Sequence, residues 1–195
     1  MKTLEEVSDF HGHICPGLAL GYRAAAFALS EMGERAGDEE LVAIVENDSC
    51  AVDAVQVLTG CTFGKGNLLF RDYGKQVYTF MRRPSGESLR ISLNWTPPED
   101  NPEDAEAWGK YSSGDRSEAI LAAVHRRKSS KIQSIMDARD EDLFSISREP
   151  AEMPQTARIH SSVNCQECGE KTMETRARLL QGKTLCIPCF EKALK

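Results

Sequence analysis

Residues 165–189 read CQECGEKTMETRARLLQGKTLCIPC, and no other stretch of the 195-residue chain limits its fold as tightly. Two Cys-x2-Cys pairs stand 17 residues apart. A two-residue gap lets one tight turn present both sulfurs to a single ion. Two such pairs supply the four thiolates that zinc takes tetrahedrally in closed sites. Gly169 follows the first pair and admits the positive φ of a knuckle. Residues 173–185 read as a hairpin turning at Gln181–Gly182. IPCFEKALK, after Cys186, reads as the start of a helix. Knuckle, hairpin and helix together resemble a treble-clef or zinc-ribbon finger. A closed four-sulfur set leaves no position for chemistry, so Cys165, Cys168, Cys186 and Cys189 are expected to hold a structural zinc. A module this short buries too little core to fold alone, so the metal would supply its stability.

The remaining length suits one domain of ordinary size, giving residues 1–144 as a body, 145–160 as a linker and 161–195 as the finger. No apolar run approaches the ~18–20 residues of a membrane span. The acidic N-terminal stretch lacks the apolar core of a secretory signal. A cytoplasmic protein without membrane contact is expected. Seven cysteines, an odd number, argue against a disulfide framework there. Residues 1–155 hold 17 Lys+Arg against 26 Asp+Glu, whereas residues 156–195 hold 7 against 4. The body therefore does not read as a nucleic-acid binder. The finger, with Arg176, Arg178 and Lys183, keeps that option open.

Along the body, residues 3–10 and 16–32 read as helices, the second opened by Pro16. Its apolar residues cover most of the circumference, as in a buried or interfacial helix. Residues 41–46 read as a strand and 50–59 as a helix capped by Asp48 or Ser49 and ended by Gly60. Strands follow at 67–72, 76–82 and 88–94, the last two joined as a hairpin through PSGES. Residues 96–114 read as an irregular excursion. Residues 115–141 read as helix with a break near Ser129–Ser130, in which HRRKSSK is a solvated face. GKGN (64–67) lacks phosphate-loop spacing and reads as a turn. The sum is an α+β fold with helices packed on a mostly antiparallel sheet.

The stretch FHGHICPG (10–17) is the second concentration of chemistry. In an extended chain His11, His13 and Cys15 point to one side. Cys15 precedes Pro16 and so caps a helix, whose positive end favours a thiolate. Cys50 repeats this at the next helix, with Asp53 on the same face and Gln56 beyond it. A polar line on an apolar helix needs partners. The cluster reads equally as a metal half-site, a cysteine–histidine nucleophile pair or a capped turn. Cys61 lies eleven residues from Cys50, about 16 Å along a straight helix. Both cannot bind one ion within one chain.

FHGHICPGLALGYRAA, ENDSCAVDAVQVLTGCTFGKGNL and DYGKQVYTF resemble the FmdE family, named after a component of formylmethanofuran dehydrogenase, over roughly residues 8–94. The finger resembles the extension that some members carry. The resemblance implies an α+β fold, a homodimer and a cavity lined by cysteine and histidine. It carries over to His13, Cys15, Glu46, Cys50, Asp53, Gln56 and Cys61, with His11 in the same motif. The family reaction runs on a molybdenum or tungsten pterin held by other components of that enzyme, and no iron–sulfur spacing occurs here.

The resulting expectation is a metal-binding protein accessory or related to that molybdenum or tungsten enzyme. His13, Cys15 and Cys61, with His11 as a further candidate, would bind zinc or another transition metal. Cys50 and Asp53, with Cys15, would act in the cavity. The alternatives are a cysteine-dependent enzyme on a small substrate, and a ligand-sensing regulator whose finger binds nucleic acid.

Overall fold

The structure is a computed structural model and describes residues 1–83 and 85–195. It divides into two units, Met1–Thr156 and Ala157–Lys195.

The first unit is an α+β body. Helix α1 (Leu4–His11) starts with a capping box: Thr3 Oγ1 accepts from Glu6 N–H, and Glu6 accepts from Thr3 N–H. It ends at Gly12, whose φ of +92° turns the chain sharply. Cys15 then caps α2 (Pro16–Met32), its Sγ accepting from Leu18 N–H at 3.4 Å. FHGHICPG is therefore not extended. It is a helix end, a left-handed turn and a helix cap.

Strand β1 (Leu41–Val45) leads to α3 (Ala51–Thr59) and on to β2 (Leu68–Phe70), parallel to β1. The antiparallel strands β3 (Val77–Arg82), β4 (Ser88–Leu93) and β5 (Phe144–Ser147) extend the sheet in the order β2-β1-β3-β4-β5. The turn expected over PSGES begins at residue 84, outside the described residues. β1 is buried along its whole length, and helices cover the face that carries Leu41, Ala43 and Val45. Those residues pack with Leu18, Ala25, Leu58, Tyr78 and Phe80.

Gly21 sets how closely the helices approach. A Cβ there would lie 2.3 Å from Ala51 O. Only glycine lets α2 cross the start of α3 at this distance, which brings the caps of both helices together.

Three regions of the body differ from expectation. Residues 102–112 are not irregular but form α4 (Pro102–Ser112), with Asn101 capping Asp104 N–H ahead of Pro102. Helix α5 (Glu118–Asp137) runs without a break at Ser129–Ser130. Arg127 and Lys131 in HRRKSSK both pair with Asp100, so that face is partly engaged. Arg23 fastens the far end of α5, donating to the carbonyls of Ile135, Met136 and Ala138 and to the Asp140 carboxylate. After the short helix α6 (Asp140–Leu143), the stretch expected to be linker begins with an edge strand, β5. Alternation on that strand is too short to register in sequence. Beyond it, Arg83 donates to Pro154 O and Gln155 O, tying this segment to the body. No helix among the described residues is long and apolar enough to cross a membrane.

The second unit holds two small hairpins, β6 (Ser162–Asn164) with β7 (Lys171–Met173) and β8 (Arg178–Leu180) with β9 (Lys183–Leu185). The β8–β9 turn places Gln181 at φ +48° and Gly182 at φ +77°, the pattern of a primed turn. Helix α7 (Ile187–Ala193) follows Cys186.

Candidate metal centres

In the second unit the sulfurs of Cys165, Cys168, Cys186 and Cys189 all lie within 4.8 Å of one another. Gly169 has φ +77° and its N–H reaches Cys165 O, forming the expected knuckle. The backbone N–H groups of Cys168 and Cys186 hold the Cys165 thiol well below its usual value, at about 6. The neighbouring thiols, Cys186 first, push Cys189 up to about 12. Four sulfurs this close cannot all ionise against each other without a cation. The donor set therefore fits a structural zinc. Around it, Leu180, Leu185 and Phe190 form a very small core.

In the body the ligand atoms of His11, Cys15 and Cys50 also lie within 4.8 Å of one another. Each comes from a helix terminus. His11 is the last residue of α1, Cys15 caps α2 and Cys50 caps α3. His11 Nδ1 is 2.7 Å from Asp53 Oδ2, and with the carboxylate ionised it donates there. His11 Nε2 is buried and has no hydrogen-bond partner. A carboxylate behind an imidazole is the arrangement that fixes a metal-ligating tautomer. A buried ring nitrogen left unpaired is costly unless something binds it.

The local structure at α3 differs from the expectation. Neither Asp48 nor Ser49 caps it. Instead Asn47 Oδ1 accepts from both Ser49 N–H and Ser49 Oγ, while Asn47 Nδ2 donates to Lys75 O. This turn delivers Cys50 with helical φ and ψ. Burial and the adjacent Cys15 thiol push the Cys50 thiol up, against the depression expected from the helix end.

The other candidate residues fall elsewhere. Cys61 is fully buried, and its Sγ donates to Leu41 O at 3.3 Å. Burial raises its thiol to about 11. Helix α3 carries it away from Cys15, so the grouping of His13 and Cys15 with Cys61 is replaced by one of His11 and Cys15 with Cys50. His13 is exposed and packs its ring on that of His11, 4.6 Å between centroids. Glu46 lies on the opposite face of the sheet, 3.8 Å from Arg90. Gln56 Oε1 accepts from Phe63 N–H and stiffens the loop after α3.

Beside the body cluster opens a cavity of about 430 Å³. His11, Cys50 and Asp53 line one part of it; Val45, Leu68, Phe63 and Phe70 line another. The two phenylalanines escape a reading of the sequence, because Phe63 sits in a loop and Phe70 ends the three-residue strand β2, too short to carry a periodic signal.

Residues 10–145 match the family model described as FmdE, molybdenum formylmethanofuran dehydrogenase operon. The chain belongs to the FmdE family. Residues 158–193 match a prokaryotic dksA/traR C4-type zinc finger. A curated relative from Archaeoglobus fulgidus, named a probable S-adenosyl-L-methionine-binding protein, is 30% identical over 206 residues. That match covers 96% of this chain and 52% of the relative, so the chain spans about half of its length. A solved structure from Syntrophus aciditrophicus, that of a tungsten formylmethanofuran dehydrogenase FmdE-like protein, is 22% identical, with a TM-score of 0.60. The superposition covers 98% of this chain and 92% of that one. At that identity it establishes a shared fold.

Proposed function

We propose that this FmdE-like body is a transition-metal-binding domain in which His11, Cys15 and Cys50 hold a zinc-like divalent cation at the wall of a small-molecule cavity. The observation that carries this reading is the cluster in which His11 offers a ring nitrogen within 4.8 Å of two thiols, in a residue whose Nδ1 meets Asp53 and whose buried Nε2 has no partner. Two sulfurs and one imidazole are soft donors suited to zinc, and three protein ligands are one short of a closed set. A cation held there supplies Lewis-acid polarisation to a further donor. The residues supply the rest: Asp53 fixes the imidazole, Gly21 brings the two helix caps together, and the apolar wall limits water. The raised Cys50 thiol works against a free cysteine nucleophile. Family context supports service to a molybdenum or tungsten formylmethanofuran dehydrogenase, with a homodimer as the working unit.

Metal analysis of the full chain tests the reading. Two metals per chain are expected, falling to one in Cys50→Ala and to one in Cys165→Ser/Cys168→Ser. One metal in the unaltered chain, lost entirely in the finger variant, would remove the body site. Co-purification with the dehydrogenase and light scattering test the partner and the dimer.

A second reading rests on the Archaeoglobus relative. The cavity contains Asp48 and Asp53 among its lining residues, a charge suited to the sulfonium of S-adenosyl-L-methionine. Calorimetric titration with that compound tests it.

A further inference from the structure

The cavity beside the body cluster has a chemical bias that narrows what enters it, an inference that rests on the metal-binding reading above. Its polar lining includes Asp48 and Asp53 and, among the described residues, no lysine or arginine. The basic residue next in sequence to the lining, Arg71, lines a cavity with Glu46 and Arg90 on the other face of the sheet. With two thiolates and a neutral imidazole, a divalent centre carries no net charge. Nothing on the cavity wall then offsets an anion, and two carboxylates oppose it.

The remaining wall is apolar and aromatic. Phe63 is 77% exposed and Phe70 46% exposed, yet both line this cavity. Leaving two phenylalanines in water at one mouth is unfavourable unless a ligand covers them. A volume of about 430 Å³ falls within the range of small-molecule sites, about 300–1,000 Å³. The metal-facing part, His11 and Cys50, lies on the same cavity as these rings, so one molecule can reach both.

We infer that the cavity takes a small aromatic or heteroaromatic ligand without net negative charge, which covers Phe63 and Phe70 and directs a neutral nitrogen or sulfur donor toward the His11–Cys50 wall. Phosphorylated and multiply carboxylated molecules are excluded by charge.

Visible spectroscopy of the cobalt-loaded full chain tests this, with Cys50→Ala as the reference that subtracts the finger's contribution. The probes are imidazole, 4-phenylimidazole and phenyl phosphate. 4-Phenylimidazole is expected to change the body-site spectrum at about tenfold lower concentration than imidazole, the added ring gaining its burial and aromatic contact. Phenyl phosphate is expected to leave it unchanged over the same range. Phe63→Ala/Phe70→Ala should bring the 4-phenylimidazole response down to that of imidazole. Equal responses to the two imidazoles, a response to phenyl phosphate, or an advantage that survives the double substitution would each overturn the ligand class. A cobalt spectrum identical to that of Cys50→Ala would overturn the metal reading and this inference with it.

Discussion

His11 and Asp53 are 42 residues apart in sequence, and their side chains meet at 2.7 Å, Nδ1 to Oδ2. The contact joins the C-terminal end of α1 to the first turn of α3, holds the imidazole through Nδ1 and leaves Nε2 unpaired. Loss of the carboxylate should therefore weaken metal binding without removing a ligand. Asp53→Asn is expected to lower body-site zinc affinity by about 10–100-fold, the usual effect of removing such a partner. Competition with a chelating indicator measures it. An unchanged affinity would show that Asp53 only complements the helix end.

Gly21 predicts a large packing effect. An added methyl would sit 2.3 Å from Ala51 O and 2.5 Å from Ala51 Cα, and backbone cannot step aside as a side-chain tip can. Gly21→Ala should cost at least about 1–3 kcal/mol and loosen the Cys15–Cys50 pair. Gly109, inside α4, has open space around its Cβ position. Gly109→Ala is expected to raise stability by about 0.5–1 kcal/mol. Thermal melts of both variants check the contrast.

What is legible in the sequence and what is not divides along physical lines. The finger's knuckle, its Gln181–Gly182 turn and its four sulfurs follow from local spacing, and the structure places them as expected. Helices α2 and α3 and the strands β3 and β4 are likewise readable, since period and caps are local. The body cluster is not. Alternation in FHGHICPG suggests that His13 shares a side with Cys15, but Gly12 breaks the extended geometry and turns His13 outward. The length of α3 separates Cys50 from Cys61, yet does not say which stands near Cys15. That choice depends on the Gly21 crossing, a tertiary contact. Asp53 does announce itself, as a polar residue on an apolar helix in need of a partner.

Arg23 predicts a local effect far from the cluster. Its guanidinium caps the end of α5 through three carbonyls and pairs with Asp140. Arg23→Met should remove about 1.5–3 kcal/mol, the range for a hydrogen bond to a charged group. Arg23→Lys should not restore it, because an ammonium cannot span the same acceptors with a planar fork. Hydrogen exchange read at residues 134–143 should rise in both variants while β1 stays protected.

Thiol chemistry separates the early cysteines. Cys61 is fully buried, with its pKa raised by burial to about 11. Its proton is held more tightly in the folded state, so this contribution is intact below the ordinary thiol range and lost as pH rises toward about 11. In metal-free protein at neutral pH, iodoacetamide should label the partly exposed Cys15 and, more slowly because its thiol is raised, Cys50, and leave Cys61 unmodified until the chain unfolds. Zinc should protect Cys15 and Cys50. Early labelling of Cys61, read by peptide mass mapping, would contradict the fold around Leu41.

The finger should respond to pH in the opposite sense. Backbone N–H groups from Cys168 and Cys186 depress Cys165 to about 6. A group whose pKa falls on folding contributes stability above its unfolded value and loses it as pH drops through the folded value. Zinc release adds to this trend, since protons compete with the metal for every sulfur. The hairpins and α7 should therefore hold at neutral pH and come apart as acid displaces zinc from the sulfurs. A strong chelator at neutral pH should produce the same loss, because Leu180, Leu185 and Phe190 are too small a core to hold the module alone. Amide spectra recorded along both titrations check it: signals from residues 157–195 should collapse while the strands of the body keep their dispersion. A finger that stays folded after complete zinc removal would show that its hairpins, and not the metal, hold it.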